Sequence, residues 1–376
     1  MNVLLCPDSF KDAVSAEQAA NAMAIGIQRA SPTATIHRCP LADGGEGSLD
    51  ALIAATNAER CQLTVQDALG RPRQATWGWL NEQRTAFIEL AEASGLQHLT
   101  PDQRNALHTT TYGVGELCLA ALDAGATKAL LFLGGSATND AGAGMLQALG
   151  ATLLDKNGDP LSPGGAALQQ LATLDLSTLD PRLSNLEIEA AVDVDNPLLG
   201  SRGASAVFGP QKGASPDDVA TLDRAIAHFA ELSAQVLGRD ESELPGAGAA
   251  GGMGFAAHCF LNATLTPGIE MIMQQAKLAS LLPDVDVVIT GEGRLDGQSL
   301  SGKTPIGVAR AAKHHGKPVI VLAGSLGDGW QACLKEGVTA VFALADGPMT
   351  LEGALPRTAE LLADRCESIA RLWLAR

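Results

Sequence analysis

Two short stretches near the start of the chain bring acid, lysine and glycine together: Pro7-Asp8-Ser9-Phe10-Lys11 and Asp43-Gly44-Gly45-Glu46-Gly47. Each falls where an extended apolar run gives way to helical spacing, and strand-to-helix turns of that kind are where phosphate sites are built. Carboxylates there can hold a metal or take a proton, lysine can neutralise an anion, and glycine lets the backbone approach it. The plainer alternative is that Asp8 and Asp43 only cap helices.

Three more stretches have the same flavour. Leu130-Leu131-Phe132-Leu133 runs into Gly134-Gly135-Ser136-Ala137-Thr138-Asn139-Asp140, and a helix is expected from Met145 to Leu149. The glycines and the helix start suit phosphates, and Ser136, Thr138, Asn139 and Asp140 suit a nucleotide or its magnesium; a tight turn with no ligand is the alternative. In Thr290-Gly291-Glu292-Gly293-Arg294, followed by Gly297 to Thr304, the last eight residues match the P-loop pattern literally. The intervening polar residues after Thr290, and Pro305 directly past the motif, argue against a true P-loop. Lys303 still stands just before a helix opened by Pro305, well placed to meet a phosphate or carboxylate. Asp193 and Asp195 alternate with Val192 and Val194 at the end of an expected strand, so their carboxylates should point the same way, toward magnesium or a hydroxyl proton. An Asx turn before Pro197 competes with that reading for Asp195 and Asn196. The run Gly246 to Gly254 suits close packing or a hinge as well as binding.

The elements that must position these groups are legible from periodicity. Val3-Leu4-Leu5 predicts a strand, and the stripe Ala16, Ala19, Ala20, Met23, Ile27 predicts a helix with Ser15 as its N-cap. Thr35-Ile36 and the run from Ser48 repeat the pattern. Leu63 to Val65, Ala75 to Leu80 and Ala86 to Leu90 predict a meander in which Trp77 and Trp79 share a face as core or interface. The last third returns to strands at Asp286 to Thr290, Pro318 to Gly324 and Val338 to Ala345, with a helix from Ile306 to His314. The expected fold is α/β: a doubly wound parallel-sheet domain made from both chain ends, residues 1–62 and 285–376, with an inserted second α/β domain, 63–284, and a cleft between them.

Composition narrows the function. A formal charge of -16 over 376 residues disfavours nucleic acid and anionic membranes as partners. The seven cysteines are scattered without a close pair, which suits free thiols in a reducing compartment. The seven histidines lack metal-ligand spacing. The first residues show no cationic stretch ahead of a long apolar one, and no run reaches membrane length, so a cytoplasmic protein is expected.

In order, PDSFK, LADGGEG, ELAEASGL, TYGVGE, GGSATNDAGAG, DVDNPL, FGPQKGA, PGAGAAGG and ITGEGRLDGQSLSGK resemble the bacterial glycerate kinase family, the class unrelated to P-loop kinases, essentially end to end. Val192 stands where that family often has cysteine. The resemblance implies ATP-dependent phosphorylation of D-glycerate, commonly at the 2-hydroxyl, with Mg2+. On that reading Asp193 is the expected base, with Asp8, Asp43 or Asp195 competing for that role or for magnesium, and Lys11 and Lys303 are the catalytic cations. Asp8, Ser9, Asp43, Arg294, Gln211 and Lys212 are expected to bind substrate. Gly134, Gly135, Ser136, Thr138, Asn139, Asp140, Gly291 and Glu292 are expected to carry the nucleotide, and Asp195 and Asp43 the metal. Phosphorylation at the 3-hydroxyl, or of a related hydroxy acid, is the nearest alternative. An NAD-dependent dehydrogenase and a sugar-acid sensor are the distant ones, and neither the dinucleotide fingerprint nor a DNA-binding module is found.

Overall fold

The computed structural model describes residues 1–375, Ser301 by its backbone alone. The chain divides into two compact units: residues 1–43, 50–57 and Pro267 onward form one, and Gly44–Leu49 with Ala58–Thr266 form the other. Apart from the short excursion of Gly44–Leu49, the chain passes between the units at Ala58 and Pro267, where 63 and 285 were expected, and residues 267–284 pack with the chain ends.

Strand β1 (Asn2–Pro7) leads through a turn into helix α1 (Ala16–Ala30). Ser15 opens α1 with a capping box, its hydroxyl accepting from the Gln18 amide while the Gln18 side chain accepts from the Ser15 amide. The predicted stripe from Ala16 to Ile27 is buried. Strand β2 (Thr35–Arg38) and helix α2 (Ser48–Thr56) repeat the unit. The meander follows as β3 (Glu59–Gln66), β4 (Pro72–Leu80) and β5 (Thr85–Glu89), paired antiparallel in succession. Next come α3 (Leu90–Ser94), α4 (Tyr112–Asp123), β6 (Lys128–Phe132), α5 (Ala143–Ala148), and a small antiparallel pair, β7 (Thr152–Asp155) with β8 (Leu171–Asp175). Strand β9 (Glu187–Ala191), α6 (Ala204–Phe208), α7 (Pro216–Leu237), α8 (Ala249–Leu261) and β10 (Thr264–Thr266) complete that unit. The chain then returns through α9 (Gly268–Gln275), α10 (Leu278–Leu281), β11 (Val287–Leu295), α11 (Thr304–His314), β12 (Val319–Leu326), β13 (Val338–Ala343), α12 (Leu351–Ala354) and α13 (Thr358–Leu374).

The first unit holds a parallel sheet in the order β13-β12-β11-β1-β2. Its core joins Val3, Leu5, Met23, Ile27, Val287, Ile289, Leu322, Leu362 and Cys366. From β1 the connections run one way to β2, while β11 to β13 build the opposite side, so the order reverses between β1 and β11. The second unit holds a mixed sheet, β10-β9-β6-β5-β4-β3, parallel from β10 to β5 and antiparallel beyond. Trp77 is buried in its core with Trp79 packed against that core, ring centroids 6.1 Å apart, so the pair is structural.

Candidate active site

Open α/β sheets take ligands at the carboxyl ends of the strands where the order reverses. In the first unit those are the ends of β1 and β11, and acids are concentrated there. Asp8 follows β1 and is tied to β11 by its amide, which donates to the Gly291 carbonyl at 2.8 Å. Its carboxylate accepts from the Ser9 amide at 2.6 Å and from the hydroxyl of Thr304, the first residue of α11, at 2.6 Å. Glu292, on β11, is buried; it accepts from the Ser299 hydroxyl at 2.7 Å and lies 3.5 Å from the Lys303 ammonium.

Asp43, in the loop after β2, is close enough for its charge to act on both acids. Burial, then the Asp43 charge, pushes the Asp8 carboxyl up to about 7; the Thr304 hydroxyl and the Ser9 amide oppose the rise, and Glu292 adds to it. Burial also raises Glu292, with Ser299 and Lys303 holding it down. Among these groups three carboxylates face a single ammonium, an excess of negative charge suited to a cation or a hydroxyl proton. Gly291 lies buried on β11 beside this cluster. Arg294 is exposed, its Nε donating to the half-buried Asp296 at 3.0 Å. Lys11 is exposed in the turn that Phe10 and Val14 close by reciprocal backbone bonds.

The P-loop lookalike follows its strand more closely than the sequence implied, because β11 continues to Leu295. Its amides are nevertheless taken. Gly297 donates to the Asp328 carbonyl, Gln298 to the Asp296 carboxylate and Ser299 to the Asp296 carbonyl. A P-loop holds such amides open toward phosphates; here Asp296 occupies that place.

In the second unit the loop after β6 is closed on itself. The buried Asp140 carboxylate accepts from the amide and hydroxyl of Thr111 at 2.8 and 2.9 Å, and from the amides of Gly142 and Gly144 at 3.2 Å each. Met145 donates to the Thr111 hydroxyl at 2.9 Å. Burial raises the Asp140 carboxyl against those bonds. The amides that open α5 thus serve the loop itself, and the phosphate cradle expected there is filled by Asp140.

Lys212, expected on substrate, is 1% exposed and lies against this loop, donating to Ser136 Oγ and the Thr138 carbonyl at 2.7 Å each. Burial lowers its ammonium to about 7, with the Asp140 charge opposing. Gly251 and Gly252, at φ 70° and 92°, pack so close that a Cβ on either would strike the Thr138 carbonyl or Ala141. The late glycine cluster is therefore close packing. Asn139 donates to Ser205 Oγ at 2.9 Å, whereas its Oδ1 and Thr138 Oγ1 are buried without a partner. Gly134 and Gly135 stay partly open or exposed.

Strand β9 ends at Ala191, so Asp193 and Asp195 lie in a loop and not at the end of a strand as the alternation suggested. Asp193 is exposed; Asp195 is exposed too and pairs with Arg202 at 3.1 Å. Gln211 is exposed, its carbonyl accepting from Arg104. Among the described residues no group of three or more His, Cys, Asp or Glu side chains is arranged to hold a metal, and no helix is long and apolar enough to cross a membrane.

The profile of the glycerate kinase family matches residues 3–374. The chain belongs to that family. The glycerate kinase of Bacillus subtilis (strain 168) is 48% identical over 98% of this chain and 97% of its own length. The glycerate 2-kinase of Escherichia coli K12 is 47% identical over 94% and 93%. A crystal structure from Salmonella typhimurium LT2, provisionally named glycerate kinase 2, superposes with a TM-score of 0.91 at 46% identity, covering 100% of this chain and 98% of that one. Membership makes the chain an enzyme of the kinase class, with the α/β architecture its sequence implied.

For a glycerate kinase family member, three partners escaped the sequence reading. Thr304 was visible only as part of the P-loop match, and Ser299 only in that match and in the stretch ITGEGRLDGQSLSGK, yet they orient Asp8 and Glu292. Thr111 was visible only as the first residue of TYGVGE, with no sign of its role, which follows from the 29-residue separation across which it meets Asp140.

Proposed function

We propose that this chain transfers the γ-phosphoryl group of ATP to D-glycerate, giving 2-phospho-D-glycerate and ADP. The observation that carries this reading is near-full-length identity of 47% to a protein named glycerate 2-kinase. In the step, the glycerate hydroxyl oxygen bonds to the γ-phosphorus, the bond from that phosphorus to the β,γ-bridging oxygen breaks, and the hydroxyl proton passes to Asp193. Phosphoryl transfer demands positioning and neutralisation of charge more than covalent help. Lys11 and Lys303 supply the neutralisation, with Arg294 joining once it leaves Asp296. Asp8 and Ser9 hold the acceptor's hydroxyls. Nucleotide contact by the loop after β6 falls to Thr138 and Asn139, whose Oγ1 and Oδ1 have no protein partner.

Mg2+ in such enzymes is bound by one or two carboxylates together with water and substrate phosphates, without an all-protein cage. The mutual repulsion of Asp43 and Asp8 fits that role, because a divalent cation relieves it; Asp195, engaged by Arg202, fits it poorly. When bound, the ion neutralises phosphate charge. Phosphorus NMR of the product formed from ATP, Mg2+ and D-glycerate tests the reading: the 2-phospho ester is expected. A 3-phospho ester would overturn the regiochemistry, and no ester at all would overturn the function.

A further inference from the structure

Beside β2, the edge strand of the first unit's sheet, lies a cavity of about 630 Å³ that the proposed reaction does not use. Ile36, His37, Arg38, Asn21, Asn57 and Lys277 are among the residues that line it. The volume is that of a small-molecule site. Its chemistry reverses the sign of the chain. Against 42 acids and 26 lysines and arginines overall, the lining offers Arg38, Lys277 and His37 with one carboxylate, Glu17.

These cations are not neutralised by acids. Arg38 donates to the neutral Asn21 amide oxygen at 3.2 Å, while the side chains of Lys277 and His37 make no hydrogen bond or ion pair among the described residues. Arginines elsewhere do find carboxylates, as in Arg29 with Asp364 at 2.9 Å and Arg357 with Asp346 at 2.8 Å. Lys277 is also held at φ 54°, a left-handed conformation that lysine disfavours, by its amide's bond to Gln274 and the Ser280 bonds to its carbonyl. Strain retained in a cation that faces a cavity points to use.

We propose that this cavity is an effector site for a small organic phosphate, with the phosphate on Arg38 and Lys277 and the carbon skeleton against Ile36. A guanidinium fork beside an ammonium matches the charge and geometry of a phosphate. Occupancy is relayed along the chain: Pro40 lines the cavity, Leu41 donates to the Pro7 carbonyl at 3.0 Å, and Pro7 and Leu41 lead directly to Asp8 and Asp43. The ligand class does not depend on the glycerate reading.

Isothermal titration of the full chain with inorganic phosphate and with glycerol 2-phosphate, without nucleotide, tests the site. In Lys303→Met, which removes the ammonium of the candidate active site, saturable binding of glycerol 2-phosphate is expected below about 10 mM. The double variant Arg38→Glu, Lys277→Glu is expected to lose at least about tenfold in affinity, as removal of the paired cations requires. Lys277→Gly relieves the backbone strain and is expected to melt about 1–3 °C higher while binding more weakly, a combination that a structural lysine would not give. With ATP and D-glycerate present, glycerol 2-phosphate is expected to change KM or kcat in the wild type and not in the double variant. Unchanged binding in both the double variant and Lys277→Gly, or no saturable binding in Lys303→Met, overturns the site. Tighter binding of citrate than of either phosphate overturns the ligand class. Intact phosphate binding in a chain that makes no phosphoglycerate would sink the glycerate reading and leave this one standing.

Discussion

At the residue scale, a carboxyl and an ammonium disturbed by burial give opposite dependences on pH. Asp8 has a folded pKa of about 7 against an ordinary 3.8, so between those values the folded chain holds a proton that the unfolded chain has released. Stability therefore falls as pH rises from about 4 to 7, at up to roughly 1.4 kcal/mol per unit, and the loss persists above 7. Asp8→Asn removes the buried charge and is expected to stabilise the ligand-free chain by about 1–3 kcal/mol at pH 8, with little effect at pH 4, in urea titrations at both values. Lys212 runs the other way: its folded pKa of about 7 lies below its ordinary 10.5. The unfolded chain then binds the extra proton between 7 and 10.5, and stability rises with pH across that window. Lys212→Met should flatten that rise, and an unchanged slope between pH 7 and 9 would show that the ammonium is not desolvated as its surroundings imply. For catalysis, Asp193→Asn is expected to lower kcat by about 10²–10⁴ with ATP affinity nearly unchanged. Near-normal turnover would remove Asp193 as the base and turn attention to Asp8. The sequence named Asp43, Glu292 and Lys303 as candidates because acid and lysine next to glycine stand out, and Asp8 because it follows a strand directly and stands three residues before Lys11. It placed Lys212 and Asp140 in the same class without showing that both are buried and bonded within the second unit, because burial of a single polar residue has no local signature.

At the element scale, periodicity located α1 and the strands around it, and Ser15 marked the start of α1, because capping and burial are set by neighbours a few residues apart. What periodicity could not give is how closely α1 and α13 approach. Gly26 sits in the middle of α1, where spacing offers no reason for glycine, and a Cβ there would fall on the carbonyl of Ala363 and the side chain of Cys366. Backbone cannot yield as a flexible side chain does. Gly26→Ala, helpful in an isolated helix by about 1 kcal/mol, is expected instead to destabilise the chain by about 2 kcal/mol or more. A thermal melt decides the sign, and a rise in Tm would mean that α13 shifts freely. The misplaced end of β9 has a related cause. Val192 and Val194 alternate like strand residues, but the sheet partner of that region, β10, ends at Thr266, pairing with Ala191, so the ladder stops there.

At the scale of the whole molecule, one stretch that the sequence singled out is divided between the two units: Asp43 belongs to the first, and Gly44–Leu49 to the second. The anchor of the latter piece is Glu89, 3% exposed, whose carboxylate accepts from the amides of Gly47 at 3.3 Å and Leu49 at 3.0 Å. Leu49 itself is buried. A buried carboxylate deprived of two donors retains its desolvation penalty, on the order of 2–4 kcal/mol. Because the second unit has its own core and is otherwise continuous from Ala58 to Thr266, a fragment of residues 44–266 is expected to fold and melt cooperatively. The shorter fragment 58–266 should melt lower by several degrees. If the missing amides are the reason, Glu89→Gln in the short fragment recovers much of the difference, since a neutral amide tolerates burial better than a charge that has lost two of its donors, while the same substitution in 44–266 is destabilising. Equal melting of the two fragments would mean that Gly44–Leu49 is carried by the second unit without supporting it, and the position of Asp43 would then have to be fixed from the β2 side alone.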